Sequence, residues 1–171
     1  MHWMWVDTIV AFEPGRYMHA IKNLSQAEDY FHDHFDGSDG LPASAVMPAS
    51  LIVEGMAQTA GLLVGSVNQF KEKVILAKIQ RVELDEDAVP GQCLKYEAQL
   101  TRVDTAGAAT EGIVLRLDHH DGEWQEIGRI SLMFSHIDNN MSGREFPEHN
   151  FVFGENFKNL LRVSGMDIFE D

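Results

Sequence analysis

Glu54 is the only charged side chain between Pro48 and Phe70, in a run otherwise dominated by Leu51, Ile52, Val53, Met56, Leu62, Leu63, Val64 and Val67. Ionising a carboxyl in such surroundings is costly unless a partner or hydrogen bonds compensate. Two readings follow: a residue solvated or paired in a packing gap, or a carboxylic acid whose pKa is raised by desolvation so that it can donate or relay a proton near neutral pH. The second is preferred, because an acid in an apolar run needs a reason. Upstream, Tyr30-Phe31-His32-Asp33-His34-Phe35-Asp36-Gly37 carries two histidines at i and i+2, which share a face if the segment is extended. They could hold a divalent metal with Asp33, Asp36 and Asp39, but no HExxH pair or cysteine cluster supports that. They could be a solvated surface pair, or one could be a general base, since an unperturbed imidazole titrates near pH 6.5.

The elements that must position these groups follow from pattern. Pro48 to Phe70 is too long for a strand and apolar on nearly every face, which predicts a helix buried all round. Trp3 to Phe12, the turn Glu13-Pro14-Gly15 and Arg16 to Ile21 read as a hairpin. Asn23 to Met47 is polar and small, broken by Asp36-Gly37, Asp39-Gly40 and Pro42, and reads as an irregular loop. Val74 to Leu84, Gln92 to Val103, Ile113 to Asp118 and Ile127 to Ile137 read as strands, with turns at Pro90-Gly91, Ala106-Gly107 and Asp121-Gly122. The clearest is the alternation of Leu94, Tyr96, Ala98 and Leu100 against Lys95, Glu97 and Gln99, the period of a half-buried antiparallel strand. One apolar helix with a mostly antiparallel sheet is an α+β layout. A helix without a polar face requires the sheet to wrap it or a second subunit to help cover it. Residues 1–137 are expected to form one domain and 138–171, with weak periodicity, a C-terminal extension.

Composition narrows the function. The chain has 171 residues, which suits one domain, and is 44% hydrophobic and 23% charged, so it buries a core rather than staying disordered. A formal charge of -14 has the wrong sign for a phosphate-backbone binder, so nucleic acid is not an expected partner. The single Cys93 builds neither an internal disulfide nor a thiolate metal site. The N-terminus has no basic n-region and reaches Asp7 early, unlike a secretory leader, so a cytoplasmic location is expected. Leu51 to Val67 holds Glu54, Gln58 and Thr59 and falls short of the roughly 20 residues of a bilayer span, so no membrane crossing is expected. Within this acidic chain, residues 41–82 carry Lys71, Lys73, Lys78 and Arg81 against Glu54 and Glu72, a local balance of +2.

Two stretches together resemble a known family. Phe31-His32-Asp33-His34-Phe35-Asp36-Gly37, followed by Met47-Pro48-Ala49-Ser50-Leu51-Ile52-Val53-Glu54-Gly55-Met56-Ala57-Gln58, is similar to the motif pair of the β-hydroxyacyl-acyl-carrier-protein dehydratases of fatty acid synthesis. That family reads His-Phe-Pro-Gly, then Pro-Gly-x-x-x-x-Glu-Ala-Met-Ala-Gln. Val6-Asp7, Glu13-Pro14-Gly15, Ala20-Ile21-Lys22-Asn23 and Val89-Pro90-Gly91 extend the resemblance over about Trp3 to Ile137. Here Ala49 replaces the family's Gly, Asp36 its Pro, and His34 and Glu54 stand farther apart, the added residues lying within Ser38 to Met47.

The resemblance implies a hotdog fold, an antiparallel sheet wrapped around one long central helix, acting as a homodimer or an assembly of dimers. It implies that His34 of one subunit and Glu54 of the other flank a thioester-linked substrate, with His34 as base and Glu54 as acid. His32 matches no catalytic position of the family. The enolate oxygen formed during dehydration would be met by backbone N–H groups at Ala49 and Ser50, where the helix begins. No metal or other cofactor is implied. The partner implied is an acyl carrier protein, itself acidic, for which Lys71, Lys73, Lys78 and Arg81 are the candidate docking groups; the plainer reading makes them solubilising charges. A hotdog thioesterase and a non-catalytic acyl-binding dimer are the competing readings; thioesterases generally do not need His34-Phe35. Glu rather than Asp on the helix speaks against an added isomerase step.

Overall fold

Two Pro-Gly pairs set corners of the sheet. At Glu13-Pro14-Gly15-Arg16 the N–H of Arg16 donates to the Glu13 carbonyl at 3.0 Å and Gly15 sits at φ +71°, the pattern of a type II turn with proline before a left-handed glycine. Val89-Pro90-Gly91-Gln92 repeats it, with Gly91 at φ +89°. The computed structural model describes residues 4–32, 37, 44–105, 107–137 and 152–166. Strands β1 (Thr8–Glu13) and β2 (Tyr17–Asn23) form the predicted hairpin, and a short 3-10 turn, Asp29–Phe31, follows. Helix α1 (Ala49–Val67) leads to β3 (Val74–Leu84), β4 (Cys93–Asp104), β5 (Gly107–Leu117) and β6 (Trp124–His136), and α2 (Glu155–Val163) lies near the C-terminus.

All strands pair antiparallel in one six-stranded sheet of order β1-β2-β4-β5-β6-β3. Helix α1 lies against one face of it, the hotdog arrangement. Leu94, Tyr96 and Ala98 on β4 and Ile130, Leu132 and Phe134 on β6 are buried, as their alternation predicted. Contact between helix and sheet is close because small residues face large ones. The Tyr96 ring occupies the space a side chain at Gly55 would need, and Met56 fills the corresponding space over Gly112. By length and composition α1 could cross a bilayer, yet 67% of its most apolar window is buried within the protein, which makes it a core helix here. It ends without glycine: Gln69 and Phe70 both adopt positive φ, and the Phe70 N–H returns to the Gly65 carbonyl at 2.8 Å, a Schellman-like closure.

Two elements depart from expectation. β5 starts at Gly107, immediately after the bend, rather than at Ile113, and pairs with β4 from Asp104 onward. Gly107-Ala108-Ala109-Thr110-Glu111-Gly112 has little intrinsic strand preference. Its position between β4 and β6 overrides that, and Ala108, Thr110 and Gly112 form the narrow inner face on which α1 rests. In the C-terminal stretch, α2 packs against β1, with Leu160 and Leu161 buried and the Ser164 hydroxyl accepting the Ile9 N–H at 2.9 Å.

Candidate functional site

One face of α1 is not covered by the sheet. Glu54, Ala57, Gln58, Gly61 and Leu62 recur at helical spacing and line a cleft of about 280 Å³ with Val74, Ile75 and Leu76 of β3 and Phe134 of β6. Apart from Glu54 and Gln58, every lining side chain is apolar. Glu54 is half-buried at this surface. One turn later, the Gln58 amide Nε2 donates to Glu54 Oε1 at 3.0 Å. The other end of the same amide is fixed: Gln58 Oε1 accepts the backbone N–H of Trp5 at 2.9 Å. A backbone N–H can only donate, so Trp5 holds the amide oxygen toward itself and the NH₂ toward the carboxylate. Gln58 therefore positions Glu54.

The helix start offers further donors. Leu51 and Ile52 N–H groups are both taken by the Pro48 carbonyl, at 2.9 and 3.3 Å. The N–H groups of Ala49 and Ser50 have no acceptor among the described residues, and both residues are exposed. Ser50 precedes Glu54 by one turn, so this end of α1 and the carboxylate occupy neighbouring positions on one helix. Aligned peptide dipoles favour negative charge at such an end.

A second constellation ties the chain before the histidine loop to this frame. The Lys22 ammonium, whose side chain is 7% exposed, contacts Glu28 at 2.5 Å and Asp7 at 3.4 Å. The Tyr30 hydroxyl also donates to Glu28, and the Tyr30 phenol is pushed far above its ordinary pKa, by burial first and by the Glu28 bond second. The Trp5 ring meets Tyr30 edge-on at 5.3 Å. Trp5 thus touches both the helix that carries Glu54 and the turn that leads into the histidine segment. Sequence reasoning passed over Trp5, since nothing local marks a backbone N–H whose acceptor lies 53 residues away.

His34 lies outside the described residues, whereas His32, just after the 3-10 turn, is exposed. Lys71 follows α1 and is exposed, and Lys73 is half-buried. Lys78 and Arg81 are exposed on β3, where Arg81 pairs with Glu83 at 2.5 Å. Sequence reasoning also missed three residues of the C-terminal segment, Val152, Phe153 and Phe157, which line the same cleft as Glu54.

Comparison with known proteins agrees with this frame. The FabA-like domain family matches residues 2–120. A 3-hydroxyacyl-[acyl-carrier-protein] dehydratase FabZ of Ruminiclostridium cellulolyticum is 35% identical over 96 residues, 56% of this chain and 63% of that protein. The enzyme of that name in Clostridium tetani is 31% identical over 109 residues, 63% of this chain and 72% of that protein. The chain thus spans less than two thirds of the first relative's length. Among solved structures, a thioesterase family protein from Silicibacter pomeroyi superimposes with TM-score 0.59 at 13% identity, covering 75% of this chain and 82% of that one. A chain of the dehydratase heterocomplex ApeI:P from Xenorhabdus doucetiae superimposes with TM-score 0.56 at 16% identity, covering 80% and 84%. At such identities the structural likeness concerns the fold.

Proposed function

The chain belongs to the FabA-like domain family, and from that premise we propose that it dehydrates 3-hydroxyacyl thioesters carried on acyl carrier protein to trans-2-enoyl thioesters. The observation that carries the proposal is Glu54: the sole carboxylate of an apolar helix, facing an apolar cleft and held by an amide whose own orientation is fixed. Dehydration breaks the C2–H and C3–O bonds, forms the C2=C3 double bond and releases water. His34 takes the C2 proton, and Glu54 protonates the departing hydroxyl, directly or through one water. Charge developing on the thioester oxygen is met by the N–H groups of Ala49 and Ser50. In the reverse hydration the acid and base roles exchange.

The reading includes a homodimer in which His34 and Glu54 come from different copies. Support comes from β3, which closes one side of the sheet while exposing Leu76, Ile79 and Val82 at 38%, 48% and 39%. Leu76 also lines the cleft, so a second copy along this strand would cover both. Lys78 and Arg81 lie on that same strand, which leaves Lys71 and Lys73, just before it, as the better placed of the four for carrier docking. A cytoplasmic setting belongs to the same reading.

The test is incubation of the purified protein with a trans-2-enoyl carrier thioester, following hydration and hydrolysis separately. Hydration that His34→Ala and Glu54→Gln each abolish in folded protein is the expected result. Hydrolysis in its place would make the protein a thioesterase, and neither reaction would leave an acyl-binding dimer. Lys71→Glu with Lys73→Glu should raise KM for the carrier-bound substrate and leave KM for a small thioester unchanged; equal effects on both would refute docking there.

A further inference from the structure

The C-terminal segment reaches into the cleft at the end away from the helix start. Counting along α1, Glu54 and Gln58 come first, Gly61 and Leu62 follow one turn later, and Gly65 lies about 16 Å beyond Glu54 at 1.5 Å per residue. At Gly65 the helix surface is occupied by the Phe153 ring, which fills the space a side chain there would need. Phe153 is 5% exposed and meets Phe70, the residue that closes α1, edge-on at 4.9 Å. Behind it stands the half-buried Phe157, its ring 6.3 Å from that of Phe153. Both aromatics line the cleft that Glu54 opens into.

We propose that Phe153 and Phe157 form the closed end of an acyl site, so that this C-terminal segment sets the longest acyl chain the protein accepts. The inference rests on the acyl-thioester reading above and adds the residues that decide length. The occupant is a straight acyl chain, because the polar groups of the cleft stand at one end and the rest of its wall is hydrocarbon. An acyl chain whose thioester carbonyl sits near Glu54 would run along Ala57, Gly61 and Leu62 toward the two rings. The wall is held independently of any ligand: Leu160 and Leu161 are buried, and Ser164 bonds to β1. Phe153 is locked against Gly65, whereas Phe157 can be trimmed without emptying that contact.

The experiment compares wild type with Phe157→Ala on straight-chain trans-2-enoyl thioesters of N-acetylcysteamine in even-numbered lengths. In parallel, unreactive S-alkyl thioethers of the same lengths displace a fluorescent fatty-acyl probe. Each methylene buried within the site should raise kcat/KM or affinity by about fourfold, up to a cutoff. Phe157→Ala should move the cutoff to longer chains and raise the long-to-short preference at least tenfold, with circular dichroism unchanged. A cutoff at the same length in both proteins, by both readouts, overturns the inference. So does a failure to bind any alkyl thioether. If the binding cutoff moves but no thioester is hydrated, the length-setting role stands and the dehydratase reading falls.

Discussion

Removing the Gln58 amide separates what holds Glu54 from what merely surrounds it. Gln58→Leu removes the bond donated to the Glu54 carboxyl at 3.0 Å and the bond accepted from the Trp5 N–H at 2.9 Å. A hydrogen bond to a charged group is worth about 1.5–3 kcal/mol. If Gln58 aims Glu54 at the leaving hydroxyl, kcat should fall roughly tenfold to a hundredfold at about 1.4 kcal/mol per decade, with KM little changed. Losing the bond to the partly buried Trp5 N–H adds a stability cost of about 1–3 kcal/mol, which for a chain of this size lowers Tm by roughly 2–12 °C. The two effects are separable. The assay is loss of the enoyl thioester's ultraviolet absorbance, run below the variant's melting temperature. A folded Gln58→Leu with kcat within twofold of wild type would refute the positioning argument.

Four further outcomes follow from the packing and the charges. Gly55→Ala should destabilise by about 1–3 kcal/mol despite alanine's better helix propensity, since its methyl overlaps the buried Tyr96 ring; Tm by calorimetry checks this. Tyr96→Phe should be neutral or stabilising and should partly rescue Gly55→Ala, because the Tyr96 hydroxyl is buried without a hydrogen-bond partner among the described residues. Cys93 is buried and its thiol pKa is pushed up, first by desolvation, so a thiol reagent should label it slowly in the native state and readily in denaturant. Asp118 is held below its ordinary 3.8, first by the His120 N–H and then by Gln92. A depressed carboxylate contributes stability above its unfolded pKa and loses that contribution as pH falls through its folded pKa. Asp118→Asn should therefore flatten the acid arm of the stability profile below about pH 4, and an unchanged arm would contradict this.

Glu54, α1 and the β4 alternation were legible in the sequence because each depends on local pattern: a charge out of place, a period of 3.6, a period of 2. The Pro-Gly corners were legible for the same reason, since the turn chemistry lies within four residues. Residues whose role is set by distant partners were not. The first half of β5 reads as a loop, because alanine and glycine suit it only once α1 lies on top. Trp5 contributes through its main chain, so its side-chain identity gives no hint of that bond. The helix Glu155–Val163 is brief, and Ser164, just past its end, meets β1 some 155 residues earlier in the chain, a pairing no window can see. His34, drawn from the family resemblance, remains a proposal that the His34→Ala assay tests.

The two sides of the sheet are finished differently. Along β1 the C-terminal helix is laid down and bonded through Ser164, while β3 presents its outer rim together with three apolar side chains. A ribbon bare on both margins can recruit copies without end and grow into a fibre. With the Ile9 N–H of β1 taken by its own chain, the β3 rim is the margin left for the second copy of the homodimer proposed above. Pairing there about a twofold axis would use up both copies' vacancies at once. The segment that walls the cleft thus also stands where a further copy would have to add along β1.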